Sequence, residues 1–159
     1  MSEILIDDIM DISLQAGVLV LENGGETYRA EETCVQIAKA MGAGNASAFV
    51  TPTVVIVTVT DQNKKSHTAM QRITNRSVNL EKISKINSLA RELTLKGKDV
   101  NPVEAENSLA KIREAPGHGK IKLLLMAGFS AFFFSFMFGG NLKEGFTAFF
   151  IGMILRLEL

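Results

Sequence analysis

The chain has 159 residues, with 17 basic and 17 acidic side chains and a single cysteine. That length allows one domain, or one small domain with an appendage. Balanced charge argues against a nucleic-acid partner, because such binders show a basic excess. One thiol, Cys34, can form neither an intrachain disulfide nor a multi-thiolate zinc site. The apolar residues are unevenly spread: nine of the ten phenylalanines lie at or beyond Phe129.

Residues 3–22 place Leu5, Ile9, Ile12, Ala16 and Leu19 at helical spacing, and Ile6, Met10, Leu14 and Leu21 widen the apolar face until more than one side must be covered. Gly24-Gly25 ends this helix. A second helix is expected from Tyr28 to Met41, capped by Thr27, with Glu31 and Glu32 in its first turn, Ala30, Cys34, Ile37, Ala38 and Met41 inside, and Gly42 as its stop. Residues 47–60 (SAFVTPTVVIVTVT) are β-branched and apolar on both faces. They predict one strand covered on both sides, with Pro52 at its beginning or at a bulge. Residues 61–65 form a turn, and His67 to Ile73 a returning strand. Leu80, Ile83, Ile86, Ala90 and Leu93 mark a third helix, closed by Gly97. Asn101-Pro102-Val103-Glu104 opens a fourth, with a capping residue, a proline at the first helical position and an acid to complete a capping box. Ala105, Leu109 and Ile112 are its inner face.

Residues 123–142 (LLLMAGFSAFFFSFMFGGNL) carry no charge. As a helix they span roughly 30 Å, the thickness of a bilayer's hydrocarbon core. A second apolar run follows Lys143-Glu144 and is too short to span on its own, so residues 145–159 read as the start of a second, truncated membrane helix. The predicted fold class is therefore α+β, with helices packed on a small β-hairpin or sheet, followed by transmembrane α-helices. The domains are 1–115, a juxtamembrane linker at 116–122, and the membrane segments 123–142 and 145–159; the stretch Ala115-Pro-Gly-His-Gly119 is short and flexible enough to act as a hinge. The acidic start MSEILIDDIMD lacks the basic region of a secretory signal. Lys111, Arg113, Lys120 and Lys122 precede the apolar helix, so the positive-inside rule puts residues 1–122 in the cytoplasm of a cell whose inner membrane holds the helix.

The usual enzymatic signatures are missing: no HExxH, no Cys-x-x-Cys and no G-x-S-x-G. GHGK at 117–120 lacks the first glycine and the Ser or Thr of a phosphate loop, and His67 and His118 read as solvated residues. No catalytic group, cofactor or metal ligand set is expected. Two polar clusters exceed what a helical turn needs. The first, Glu22-Asn23-Gly24-Gly25-Glu26-Thr27-Tyr28-Arg29-Ala30-Glu31, is either a capped turn or a joint where helix-terminal amides and Arg29 grip an anion. The second, from Arg72 through Arg76, Ser77 and Asn79 to Glu81, is either ordinary strand-to-helix punctuation or a partner for Glu22, Glu26 or Glu31. Thr51-Pro52-Thr53 is a third polar island. In the apolar helix, Ala127, Ala131, Ser135 and Gly139 recur every four residues. That stripe suits close approach of another helix.

The runs AGxLxLENGGETYRAEET at 16–33, FVTPT at 49–53 and RITNRSVNLEKISKIN at 72–87 together resemble the threonine/serine exporter family, ThrE-like and YjjP-like. The resemblance covers essentially the whole chain. It implies an inner-membrane exporter of small polar metabolites, threonine and serine or dicarboxylates such as succinate. It also implies about five membrane helices after a soluble domain, and either a fused second membrane module or a separate small membrane subunit. This chain then corresponds to the N-terminal portion. Carried over residue by residue, the substrate-binding or gating candidates are Glu22, Asn23, Gly24, Glu26, Thr27, Arg29 and Glu31, then Thr51, Pro52 and Thr53, then Arg72, Arg76, Ser77, Asn79, Leu80 and Glu81. Two alternatives stand beside export: a cytoplasmic ligand-sensing or assembly domain that gates a partner membrane subunit, and a membrane-tethered hydrolase using Ser77, Thr27 or Cys34. Self-association as a homo-oligomer is also suggested by the marginal hairpin and the small-residue stripe.

Overall fold

The computed structural model describes residues 5–61, 63–117 and 119–157. Residues 3–4 of the expected first helix, Gln62 of the turn, His118 of the linker and residues 158–159 of the last apolar run lie outside that set. The chain divides into two units, Met1–Ala115 and Pro116–Leu159.

The first unit is α+β. It comprises α1 (Ile6–Glu22), α2 (Thr27–Ala40), strands β1 (Asn45–Thr51), β2 (Val54–Thr60) and β3 (Ser66–Arg72), α3 (Leu80–Lys96) and, after a 3-10 turn over Gly97–Asp99, α4 (Pro102–Glu114). Helix α1 is its axis and touches α2, β2, β3, α3 and α4. Its wide apolar face thus has a use on every side: Ile9, Ile12, Leu14 and the run Ala16 to Leu21 are buried, and Ser13 among them donates its hydroxyl to Met10 O at 3.0 Å. Cβ-free Gly17 lets α2 approach closely, because any side chain there would run into Cys34 Sγ.

Residues 47–60 are two strands, not the single strand expected. Pro52 sits in the tight link between β1 and β2, where Thr51 pairs with Val54 and its hydroxyl accepts from Val54 N at 3.2 Å. A residue with fixed φ and no amide hydrogen ends one strand more readily than it sits inside one. The result is an antiparallel meander in the order β1-β2-β3. Coverage of both faces is also corrected. The inner face (Ala46, Val50, Val55, Val57 and Val59) is buried under α1 and α2. The outer face aligns Phe49, Ile56 and Met70 across the three strands, with Phe49 62% and Met70 67% exposed. Hydroxyl pairs Thr58–Thr68 (2.9 Å) and Thr60–Ser66 (3.1 Å) tie this open face together.

Side-chain caps start the later helices. Asn79 Oδ1 accepts from Lys82 N at 3.1 Å to begin α3, and Asn101 Oδ1 from Val103 N at 3.1 Å to begin α4, with Pro102 at the first helical position. Helix α2 differs from expectation: Glu26, not Thr27, is its N-cap, no side chain caps it, and Glu31 and Glu32 fall after its first turn.

The second unit is a helical hairpin of α5 (Lys120–Met137) and α6 (Leu142–Leu157). Helix α5 starts earlier and stops earlier than the uncharged run 123–142. Lys120 to Lys122 form its first turn instead of belonging to a linker, and Gly139, at φ +82°, lies beyond its end. Helix α6 begins at Leu142, before the expected start at 145. Its Asn141 cap is reciprocal: Asn141 Oδ1 accepts from Lys143 N and Glu144 N, and Glu144 Oε2 accepts from Asn141 N at 2.8 Å. Phe129, Phe132, Phe146 and Phe149 meet edge-to-face across the hairpin, at 5.1 Å for 129–149 and 5.4 Å for 132–146. Among the described residues α5 alone has the length and apolarity to cross a membrane, and only Gly128 in it is buried.

Candidate functional site

The three polar runs of the first unit, far apart in sequence, meet at one corner. The C-terminus of α1 turns on Asn23, Gly24 and Gly25. Gly25 N donates to Val20 O at 2.8 Å and Gly24 N to Leu21 O at 3.1 Å, with Gly24 at φ +87°. This is the paired 6→1 and 5→2 bonding of a Schellman motif, which needs a left-handed residue at Gly24. Asn23 is buried, and its side-chain amide donates to Leu19 O at 2.8 Å. The turn's remaining carbonyls serve the third run: Ser77 N donates to Glu22 O at 2.7 Å, Ser77 Oγ to the same oxygen at 3.3 Å, and Asn79 N to Asn23 O at 3.0 Å. A Cβ on Gly24 would stand 3.0 Å from Ser77 O, so the glycine serves the contact as well as the turn.

The second run joins from the sheet. Ile73 N donates to Thr53 O at 2.8 Å. Glu31 Oε1, on α2, accepts from Val50 N at 3.0 Å, satisfying a strand amide with a carboxylate. Thr51 accepts locally at the Pro52 turn, from Thr53 N at 3.4 Å as well as from Val54 N. These bonds make Asn23, Gly24, Glu31, Thr51, Ser77 and Asn79 fastenings of the corner.

The charged residues stand outward on it. Glu26, Arg29, Thr53, Arg72, Arg76 and Glu81 are exposed, Glu22 and Thr27 half-buried. Arg29 Nε donates to Tyr28 Oη at 3.4 Å. That bond, with the negative charges of Glu26 and Glu32, raises the guanidinium pKa above its ordinary value. Glu81 pairs with Lys85 one turn along α3 at 2.8 Å. The expected pairing of Arg72 or Arg76 with Glu22, Glu26 or Glu31 is not among the ion pairs recorded for the described residues. What the corner presents is a rigid backbone frame carrying exposed cationic and anionic side chains.

Two of the three nucleophile candidates have defined surroundings. Burial pushes the Cys34 thiol up to about 12, which keeps it protonated and unreactive. Ser77 Oγ donates to a carbonyl, which cannot take its proton. No group of three or more His, Cys, Asp or Glu that could hold a metal occurs among the described residues.

In the hairpin, Gly152 of α6 faces the small-residue stripe of α5: a Cβ there would stand 2.8 Å from Ala131 Cβ and 3.0 Å from Ala127 O. Gly128, one residue off the stripe, lies under Phe149 and Met153. Ser135 is half-buried and bonds its own helix at Phe132 O (2.9 Å), and Gly139 only shapes the turn.

Against this geometry, comparison with protein families matches the chain to the ThrE family, described as "Putative threonine/serine exporter", over residues 11–157. The chain belongs to this family. The match runs through both units, from α1 to the end of α6. The family's description is that of an exporter, which implies a membrane protein and a transport role. No curated protein and no solved structure matches the chain.

Proposed function

We propose that this ThrE-family chain is a component of an inner-membrane exporter of threonine and serine, with the α+β unit on the cytoplasmic side and the α5–α6 hairpin in the bilayer. The family match across residues 11–157 carries the reading. Supporting it are an apolar α5 with a single buried residue and the cluster Lys111, Arg113, Lys120 and Lys122 at the approach to the membrane. The polar corner would act as the docking or gating surface: its backbone frame is fixed, and Arg29, Arg72 and Arg76 project from it with cationic groups suited to carboxylates. A second membrane module or small membrane subunit would complete the pathway. Dicarboxylates, whose charge also suits these arginines, form the alternative substrate class.

The test is efflux from cells loaded with a threonine- or serine-containing dipeptide, with and without the gene. Faster loss of the free amino acid supports export. Unchanged loss, with the protein present in the membrane, refutes threonine/serine export, and the same experiment with succinate then decides the alternative class. Arg29→Ala with Arg76→Ala should reduce efflux without preventing membrane insertion.

A further inference from the structure

We propose that the cleft between α1 and α4 is a binding site for a free α-amino acid, held as its zwitterion, through which the cytoplasmic unit senses the exporter's cargo. The cleft has a volume of about 300 Å³ and opens between two helices far apart in sequence. That is the lower end of the range for small-molecule sites, suited to a ligand of few atoms. Its floor is apolar: Ile12 and Leu109 are both buried. Its rim is charged with both signs. Asp11 and Glu106 are carboxylates, and Arg113 supplies a guanidinium.

The placement follows from helical geometry. Asp11 and Gln15 lie one turn apart on one face of α1, and Glu106, Leu109 and Arg113 share one face of α4. Arg113 is held in position: its Nη2 donates to Gln15 Oε1, while Gln15 Nε2 donates to Gln71 Oε1 on β3 at 3.0 Å. A bond through one nitrogen leaves other N–H groups of the fork available for a carboxylate. Neither Asp11 nor Glu106 is recorded in an ion pair with Arg113 among the described residues, so the opposite charges flank the cleft without neutralising one another. A ligand with an ammonium at one end, a carboxylate at the other and a short side chain over Ile12 and Leu109 complements every part of it.

The position suggests what occupancy does. Arg113 lies on the last turn of α4, and its carbonyl accepts from Lys82 Nζ at 2.6 Å, so α1 and α3 both bond to this residue of α4, and β3 is linked to it through Gln15. Unit 1 ends two residues later, at Ala115. A ligand bridging Asp11 or Glu106 to Arg113 would fasten the end of α4 to α1 at the point where the chain leaves for the hairpin.

The zwitterion class rests on the cleft's charges, whereas threonine as the probe rests on the exporter reading. The experiment is calorimetric titration of the full chain in lipid nanodiscs with L-threonine, N-acetyl-L-threonine and L-threonine amide. Threonine should bind saturably, and each blocked ligand should bind at least about tenfold more weakly, the effect of losing one charge-assisted contact. Arg113→Gln, and Asp11→Asn with Glu106→Gln, should produce the same loss with threonine. The two carboxylates are exposed and make no hydrogen bond among the described residues, so their variant should keep the fold even if Arg113→Gln disturbs it. Absence of saturable binding, equal binding of the N-acetyl ligand, or binding insensitive to Asp11→Asn/Glu106→Gln would overturn the site. A chain that exports threonine but fails these titrations breaks only this inference; one that binds but never exports breaks only the exporter reading.

Discussion

Helices α1 and α5 are alike in make-up and in ending. Each is a long apolar helix closed by a Schellman turn on a glycine pair. In α5, Gly140 N donates to Ser135 O at 2.8 Å and Gly139 N to Phe136 O at 3.1 Å, as Gly25 and Gly24 do in α1. Their surroundings are opposite. Helix α1 has buried residues from Ile9 to Leu21, packed against α2, α3, α4, β2 and β3, whereas α5 buries Gly128 alone and leaves Phe129, Phe133 and Phe134 exposed. One helix makes its own apolar medium from the chain around it. The other must find one elsewhere, and in the exporter proposed above a bilayer would supply it.

That contrast is most sharply broken by truncation on each side of it. Leu21→Ala, at a fully buried position, should cost the first unit about 2–5 kcal/mol in denaturant unfolding. Phe134→Ala, 57% exposed, should leave that unfolding transition unmoved. Equal effects would mean that the two helices share one core.

The next effect concerns packing. Gly152→Leu places a side chain against Ala131 and Ala127, and overpacking of this kind costs about 1–3 kcal/mol. It should open the α5–α6 hairpin, read as proteolysis at the Gly139-Gly140 turn in detergent, with the melting of the first unit unchanged. Simultaneous loss of both would show that the hairpin supports the α+β unit.

A smaller effect is expected at Glu31. Removing its carboxylate from Val50 N leaves an amide without its partner, so Glu31→Ala should cost about 1–3 kcal/mol, while Glu31→Gln, which keeps an acceptor, recovers most of it. Thermal melts of the three chains check this; equal loss for Gln and Ala would point to charge, not hydrogen bonding.

The thiol gives a pH signature. Cys34 ionises near 9.0 when unfolded and is pushed up to about 12 by burial, so its contribution to stability is intact below pH 9 and is lost as pH rises toward 12. Cys34→Ser should flatten that alkaline decline. Maleimide labelling at neutral pH should be slow until the first unit unfolds.

Local signals in the sequence located much of this architecture. Asn101 and Pro102 announce a helix start, Gly24 and Gly42 announce ends, and the uncharged phenylalanine-rich run announces α5. Pro52 carried the right signal but was weighed against a continuous β-branched stretch; the proline's missing amide decided in favour of a turn. The open outer face of the sheet was hidden, because Val54 and Ile56 look the same whether a helix covers them or cross-strand neighbours merely shade them. At the candidate site, the polar residues were visible but their division of labour was not. Asn23, Ser77 and Glu31 bond to backbone groups many residues away, and no spacing rule encodes such a pairing. The α1–α4 cleft escaped for the same reason: Gln15 and Arg113 meet across 98 positions.

Everything in the comparison turns on the medium around the hairpin. A nitroxide at Phe134→Cys, in the chain reconstituted into lipid vesicles, reports it directly, since buried Cys34 does not compete for the label. The bilayer reading predicts strong relaxation by oxygen and protection from a water-soluble nickel chelate, with the reverse for a label at Thr68→Cys on the open sheet face. Free access of the nickel chelate to position 134, matching that at position 68, would contradict it.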